Sequence, residues 1–331
     1  MAASAVAFQL GALAMLLMSR KSPPGIERLF LSLPAIVMNL CIPSLVGREQ
    51  VVARACLAGQ YLWWSNFKII AFCCGRGPLV SEQCRSAGSF LLYLTIPATP
   101  ATRRTKARSK TKLLLKLVAK TGVLALVVTV LVDNHFFENR WVNNIAEAVG
   151  LYTLLGVVED SLPLILGIQV ERSFNWFFRS ASLAEFWSFR WNHHVAGLLK
   201  NVVYEPIVQG SFLAVNSTKT LRKPPMTRRV LAIAMTFLAS GIMHEIVLGT
   251  VTGTVTGSWV AFFTLQGFYV ILERGLLDAL KARGILVPKL LSIPVTLTFL
   301  LVTAEVHFFE PVRATALDKA VVNNLNSILN K

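Results

Sequence analysis

The sequence predicts an all-α membrane protein: a polytopic helical bundle of about eight transmembrane helices, plus an interfacial or re-entrant helix, around an internal chamber. Three observations lead there. Over half of the residues are apolar (54%), only 15% are charged, and the mean hydropathy is +0.58, whereas a soluble domain of this length needs far more polar surface. Several segments approach the roughly 20 apolar residues that cross a hydrocarbon core. Finally, one of them carries an adjacent histidine and glutamate, His244 and Glu245. Ionisable groups inside a membrane-length helix are costly and mark a functional site by default.

The spans are read near 2–18, 29–47, 51–73, 113–132, 144–168, 229–250, 256–273 and 286–308. There is no internal repeat, and the connecting loops are too short for a second soluble domain. Residues 1–331 therefore read as a single multi-pass membrane domain. The first span lacks a basic n-region: its cations, Arg20 and Lys21, follow the apolar run. This favours a retained helix over a secretory signal, with its N-terminus on the non-cytoplasmic side. Positive-inside counting agrees, because loops 19–28, 74–112, 169–229 and 274–285 are basic while 133–143 and 251–255 are not. The same topology sends the tail after Phe309 out of the cytoplasm, despite Arg313, Lys319 and Lys331.

Net charge is +16, from 33 Lys and Arg against 17 Asp and Glu. No stacking platform or base-reading motif accompanies it, so nucleic acid is not an expected partner. The charge gathers in and beyond the basic cytoplasmic loop 74–112, at Arg103, Arg104, Lys106, Arg108, Lys110, Lys112, Lys116 and Lys120. The last three recur every four residues beside Leu113, Leu114, Leu115 and Leu117, which reads as a helix lying on anionic membrane lipid before it turns inward. Among the five cysteines (Cys41, Cys56, Cys73, Cys74, Cys84) there is no CxxC spacing, so reduced thiols and no bound metal are expected.

The stretch 182–206 is unusual. Ser182-Leu-Ala-Glu185 has capping-box spacing, predicting a helix from Leu183, and Pro206 is expected to end it. On a continuous helix Leu183, Phe186, Trp187, Arg190, Trp191 and His194 share one broad face. Trp176, Trp187 and Trp191 suit the membrane–water boundary. An interfacial or re-entrant helix dipping into a cavity fits this pattern, and so does an aromatic anchor without chemistry. In the helix 229–250, His244 reads either as a reactive group or as a hydrogen bond between helices. Glu245 lies about 100° further round the helix, so it is expected to support another helix rather than form a dyad with His244. A carrier using both residues as proton or substrate contacts is the reading of a different class, but transporters of that kind show inverted repeats. His135 and His307 read as structural. Five histidines are too few for a di-iron desaturase. Neither GxSxG, Walker A nor GxGxxG is present.

The order SLAEFWSFRWNHHVAGLLKNVVYEP (182–206), then SGIMHE (240–245), resembles the plant- and alga-type wax synthase branch of the membrane-bound O-acyltransferase superfamily. Asn66-Phe-Lys-Ile-Ile with Gly75-Arg-Gly-Pro78, and His307-Phe-Phe-Glu-Pro311, extend the likeness over roughly residues 60–315. Glu310 departs from it, standing where an uncharged residue is expected, and no role is carried onto His193. The resemblance implies acyl transfer from acyl-CoA to a lipid alcohol in the endoplasmic reticulum, with acyl-CoA as cosubstrate and no other cofactor. It implies that His244 and Asn192 are the catalytic residues, with Glu245, Trp191, Arg190 and Trp187 in support. A histidine in a dry cavity can take the alcohol's proton, and an amide can orient the reactants or hold the developing oxyanion. Arg190 suits a backbone carbonyl better than a CoA phosphate. The basic cytoplasmic face would favour entry of the polyanionic donor. A long-chain fatty alcohol, giving a wax ester, is the implied acceptor, with a sterol, terpenoid or diacylglycerol as alternatives. The HHxxxDG motif of soluble bacterial wax ester synthases fails here, because Leu198 and Leu199 follow His193-His194 at the Asp-Gly positions.

Overall fold

A computed structural model describes residues 2–101, 109–132, 139–215 and 224–329. Among these the regular structure is helical: α1 (Ala2–Ser19), α2 (Ile26–Cys41), α3 (Val51–Leu57), α4 (Asn66–Cys73), α5 (Ala87–Thr95), α6 (Lys110–Val132), α7 (Arg140–Leu166), α8 (Leu183–Glu185), α9 (His193–Leu199), α10 (Glu205–Gln209), α11 (Met226–Thr252), α12 (Ser258–Ala282), α13 (Lys289–Ala304), α14 (Glu310–Ala314) and α15 (Leu317–Leu329). Each expected span is occupied by helix. Among the described residues six segments are long and apolar enough to cross a membrane: Ile26–Leu45, Lys110–Leu131, Arg140–Leu166, Met226–Thr252, Ser258–Ala282 and Lys289–Ala314. Large apolar side chains such as Leu290 and Phe30 are exposed on these helices, as lipid-facing residues must be. The expected span 51–73 is one helical run whose middle, Ala58–Ser65, widens into π-helix. Of the basic cluster, Arg103, Arg104, Lys106 and Arg108 lie outside the described residues, as does His135.

The chain forms two compact units, one of residues 1–97 with 197–271 and the other of 98–196 with 272–331. In the first, α1 meets α2 through small polar residues, with the Ser32 hydroxyl donating to that of Ser19 at 3.3 Å. Small residues permit such close helix approach where lipid supplies no hydrophobic drive. Arg28 donates to the Phe72 carbonyl at 3.0 Å, and Asn39 to the Asn66 side chain at 2.9 Å, fixing α2 against α4. The Lys68 ammonium is buried and donates to the Tyr93 and Ile96 carbonyls, each at 2.6 Å. It thereby neutralises the carbonyl end of α5, where the helix dipole is negative. Arg76 binds Gln209 at 2.6 Å and the Leu213 carbonyl at 2.9 Å. A structural task thus accounts for Asn66, Lys68 and Arg76 in the Asn66–Pro78 stretch. Helices α11 and α12 cross closely at Gly241, where an added Cβ would stand 2.8 Å from the Val260 Cα.

In the second unit α6 packs along α7. Lys120 turns into the helix pair, meeting Asp160 at 2.6 Å and the Gly156 carbonyl at 3.1 Å. Its charge is part-buried there and is paired with Asp160. Residues Glu305–Phe309 form a π-helical stretch between α13 and α14. There Glu305 accepts from Asn144, and Arg313 bridges Glu305 at 2.9 Å to Glu310 at 2.8 Å. The unexpected charge of Glu310 is therefore answered within one helical turn.

Candidate active site

His244 lies in the middle of α11 within a nest of aromatic rings. Its Nδ1 is 2.8 Å from the Ser240 carbonyl, one turn back on the same helix. A carbonyl oxygen can only accept, so Nδ1 carries the proton and the neutral ring has its basic lone pair on Nε2. Phe263 stacks on the imidazole, with centroids 4.0 Å apart and planes at 20°. Trp63 and Trp259 meet it nearly at right angles, at 4.6 and 5.8 Å. The ring is thus held in one orientation among apolar groups, and the α11–α12 approach at Gly241 allows Phe263 to come that close.

Glu245 faces elsewhere, as its offset round the helix anticipated. Its Oε1 accepts from the backbone N–H of Thr256 (2.5 Å) and of Gly257 (2.7 Å) and from the Thr256 hydroxyl (3.1 Å), while Oε2 accepts from the Trp259 N–H at 3.1 Å. It caps α12, placing a negative charge at the positive end of that helix. Since α12 bears Trp259 and Phe263, the cap also fixes two walls of the histidine nest.

The expected helix over 182–206 is corrected in the second unit and at its boundary. Its start is as anticipated: the Ser182 hydroxyl accepts the Glu185 N–H at 3.0 Å. The Glu185 carboxylate reaches back one residue further than a capping box requires, to the Ala181 N–H at 2.8 Å. After α8 the chain runs through a π-helical turn, Phe186–Arg190, and then breaks at Trp191 and Asn192. Asn192 takes a left-handed backbone, φ +42°, which asparagine tolerates better than most residues. It caps α9, accepting the Val195 N–H on Oδ1 at 3.4 Å. Leu183, Phe186, Trp187, Arg190, Trp191 and His194 therefore do not share one face. Nor does Pro206 end a helix. The chain passes through the π-helical stretch Lys200–Tyr204 into α10, with Pro206 in the first turn of α10.

The break re-aims the side chains around it. Trp191 stacks on Phe186 at 5.5 Å and meets Phe174 and Phe177 edge-on at 5.1 and 5.2 Å. Trp187 packs edge-on against Phe186 at 4.9 Å. The Arg190 guanidinium binds Glu185 at 2.6 and 2.9 Å and the Asn175 carbonyl at 2.9 Å, so its donors serve the local backbone. Burial alone would raise the Glu185 carboxyl, but the Ala181 N–H and Arg190 outweigh it and hold the group below the usual carboxylate range. The turn bearing Asn192 is pinned at both sides. The His193 N–H donates to the Ser173 carbonyl at 2.7 Å, and the Ser173 N–H donates to Glu159 at 2.7 Å. His194 is buried with Nδ1 2.9 Å from the Thr99 hydroxyl.

His244 belongs to the first unit and Asn192 to the second. Sequence reasoning missed Trp63, Trp259 and Phe263, whose contact with His244 arises from chain segments far apart or from a separate helix. It also missed the pins from Glu159 and Thr99. Only the Trp63-Trp64 pair, inside an otherwise apolar span, offered a signal.

The membrane bound O-acyl transferase family model matches residues 170–265, a stretch that includes Asn192, His244, Glu245 and Phe263. An acyl-CoA–sterol O-acyltransferase of Arabidopsis thaliana is 28% identical over 85% of this chain and 81% of its own length. A probable long-chain-alcohol O-fatty-acyltransferase of the same plant is 25% identical over 89% of this chain and 84% of its own. A second relative of that description is 28% identical over 92% and 88%.

Proposed function

We propose that the chain, which is similar to the membrane-bound O-acyltransferases of the wax synthase branch, transfers a fatty acyl group from acyl-CoA to a long-chain fatty alcohol, giving a wax ester. The observation that carries the reading is His244 held in an aromatic nest with Nδ1 2.8 Å from the Ser240 carbonyl, which leaves Nε2 as the basic nitrogen. Nε2 takes the proton of the alcohol as its oxygen attacks the thioester carbonyl. The tetrahedral centre then collapses with departure of the CoA thiolate, which recovers the proton from the imidazolium. Attack is direct, with no acyl-enzyme. Phe263, Trp63 and Trp259 exclude the water that would otherwise hydrolyse the thioester.

Asn192 is the second catalytic residue in this reading. Its Oδ1 accepts from the Val195 N–H in capping α9, so its amide N–H groups are the donors it would offer a substrate oxygen. Arg190, Trp187 and Trp191 support that turn, and Glu245 supports the histidine nest through α12. The acyl donor enters from the basic cytoplasmic side and the alcohol from the bilayer, in the endoplasmic reticulum.

The test is an assay of microsomes from a wax-free host expressing this chain or His244→Ala. Labelled palmitoyl-CoA is supplied with hexadecanol, a sterol and diacylglycerol in competition. Wax ester from the native chain, lost in the variant at equal protein level, supports the reading. Sterol ester as the main product would replace the acceptor. Absence of thioester-dependent turnover with every acceptor would return the chain to the carrier reading.

A further inference from the structure

The π-helical stretch Ala58–Ser65 bears a feature that packing does not explain. The Trp63 side chain is 5% exposed, and its indole Nε1 is fully buried with no hydrogen-bond partner among the described residues. A buried donor without an acceptor is a standing cost, and such atoms in folded proteins call for a specific reason. Phenylalanine would fill much of the same space and meet a neighbouring ring without that cost. The indole also lies against the candidate base, its ring centroid 4.6 Å from that of His244 at an interplanar angle of 77°. π-helical turns within α-helices occur frequently at functional sites, because the widened turn shifts a side chain out of the regular helical register. Here one such turn presents Trp63 beside the histidine.

We propose that Trp63 is a further catalytic residue, its indole N–H donating to the carbonyl oxygen of the acyl thioester as that oxygen gains negative charge. This deepens the acyltransferase reading above and rests on it. The chemistry selects that oxygen. Indole nitrogen is a donor only, so it cannot share with His244 the task of accepting the alcohol's proton. When Nε2 holds the alcohol hydroxyl, the carbon under attack lies one bond beyond the alcohol oxygen, and the carbonyl oxygen one bond beyond that. The indole that carries this donor meets the imidazole with ring centroids 4.6 Å apart, a separation comparable to the span of this tetrahedral centre. The nest is apolar, and a neutral donor there gains strength as the oxyanion forms and loses it when the thiolate leaves. No atom is transferred to or from Trp63. The bond from the alcohol oxygen to carbon forms, the carbon–sulfur bond breaks, and the proton passes through His244.

The test compares the purified full-length native chain with Trp63→Phe and Trp63→His in detergent micelles. Two unreactive donors probe binding: a ketone analogue of palmitoyl-CoA, which keeps the carbonyl, and an alkyl thioether, which lacks it. Trp63→Phe is expected to lower kcat about 100- to 1,000-fold, with KM for hexadecanol and the melting temperature near native values. It should weaken inhibition by the ketone while leaving inhibition by the thioether unchanged. Trp63→His, which restores a ring N–H, should recover part of the loss. Native kcat in Trp63→Phe, or equal weakening of both analogues, overturns the proposal. If Trp63→Phe fails to fold, the ketone-to-thioether ratio in Trp63→His decides, because a ratio unchanged from native while kcat falls also overturns it. Failure of the acyltransferase reading would look different, since the native chain itself would then make no ester.

Discussion

Replacing Glu245 with alanine separates a supporting carboxylate from a catalytic one. The side chain receives the N–H groups of Thr256, Gly257 and Trp259 and the Thr256 hydroxyl. Thr256 and Gly257 are exposed, so water can replace the carboxylate there, at a cost of about 0.5–1 kcal/mol for each backbone bond. Trp259 is buried, and its N–H would lose its acceptor without replacement, for about 1–3 kcal/mol more. The sum, about 2–5 kcal/mol, exceeds the range of an ordinary helix cap and corresponds to a fall of several degrees in melting temperature. Because α12 carries Trp259 and Phe263, activity should fall with stability. Glu245→Gln keeps an amide oxygen for some of the donors and should lie between the native chain and the alanine variant on both scales. The assay is thermal unfolding of the purified protein in detergent, paired with ester formation at a temperature well below the lower transition. Loss of kcat in Glu245→Gln with an unchanged melting temperature would refute the capping role and make Glu245 a partner of His244.

Ser240→Ala keeps the backbone carbonyl that orients His244, and its hydroxyl is a distant 3.5 Å from Nδ1. Its kcat should stay within about twofold of native in the ester assay, the hydroxyl contact lying outside good hydrogen-bond geometry. Gly241→Ala should be far more damaging, because its Cβ would meet the Val260 backbone at 2.8 Å. Separating α11 from α12 should cost about 1–3 kcal/mol and displace Phe263, seen as a lower melting temperature and a lower kcat. Glu185→Gln should show a pH-dependent deficit. The folded carboxyl is held below its unfolded value, so its stabilisation is fully present above the unfolded pKa of about 4 and is lost as pH falls through the folded value. Melting temperatures of the native and Glu185→Gln proteins should differ most near neutral pH and converge in acid; a gap that widens on acidification would contradict this.

The helix-by-helix plan was legible because the bilayer imposes a local rule. A segment must supply about 20 apolar residues and satisfy its own backbone, and both conditions can be read from consecutive residues. The same locality made His244 stand out, sent Glu245 to a different partner by the 100° rotation per residue, and located the Ser182 cap. What escaped depends on hydrogen bonds and contacts that no short-range pattern records. The π-helical stretches at Ala58–Ser65 and Phe186–Arg190 leave the hydrophobic pattern almost unchanged, yet they rotate everything that follows. The break at Asn192 was hidden because 182–206 is well patterned for an unbroken helix, while the forces that hold the break come from Ser173, Asn175 and Thr99.

The sequence by itself therefore determined which segments are helices of membrane length and which residues are candidates for the chemistry, since burial in lipid tests each segment separately. Only the tertiary structure decided what those residues face. Trp63 and Phe263 reach His244 from chain segments on either side of it, Glu245 turns to the start of α12, and Lys120 pairs with Asp160. Each of these choices is an energy shared between two segments: a ring against a ring, or a charge against its partner. Such an energy has no value until both segments are in place.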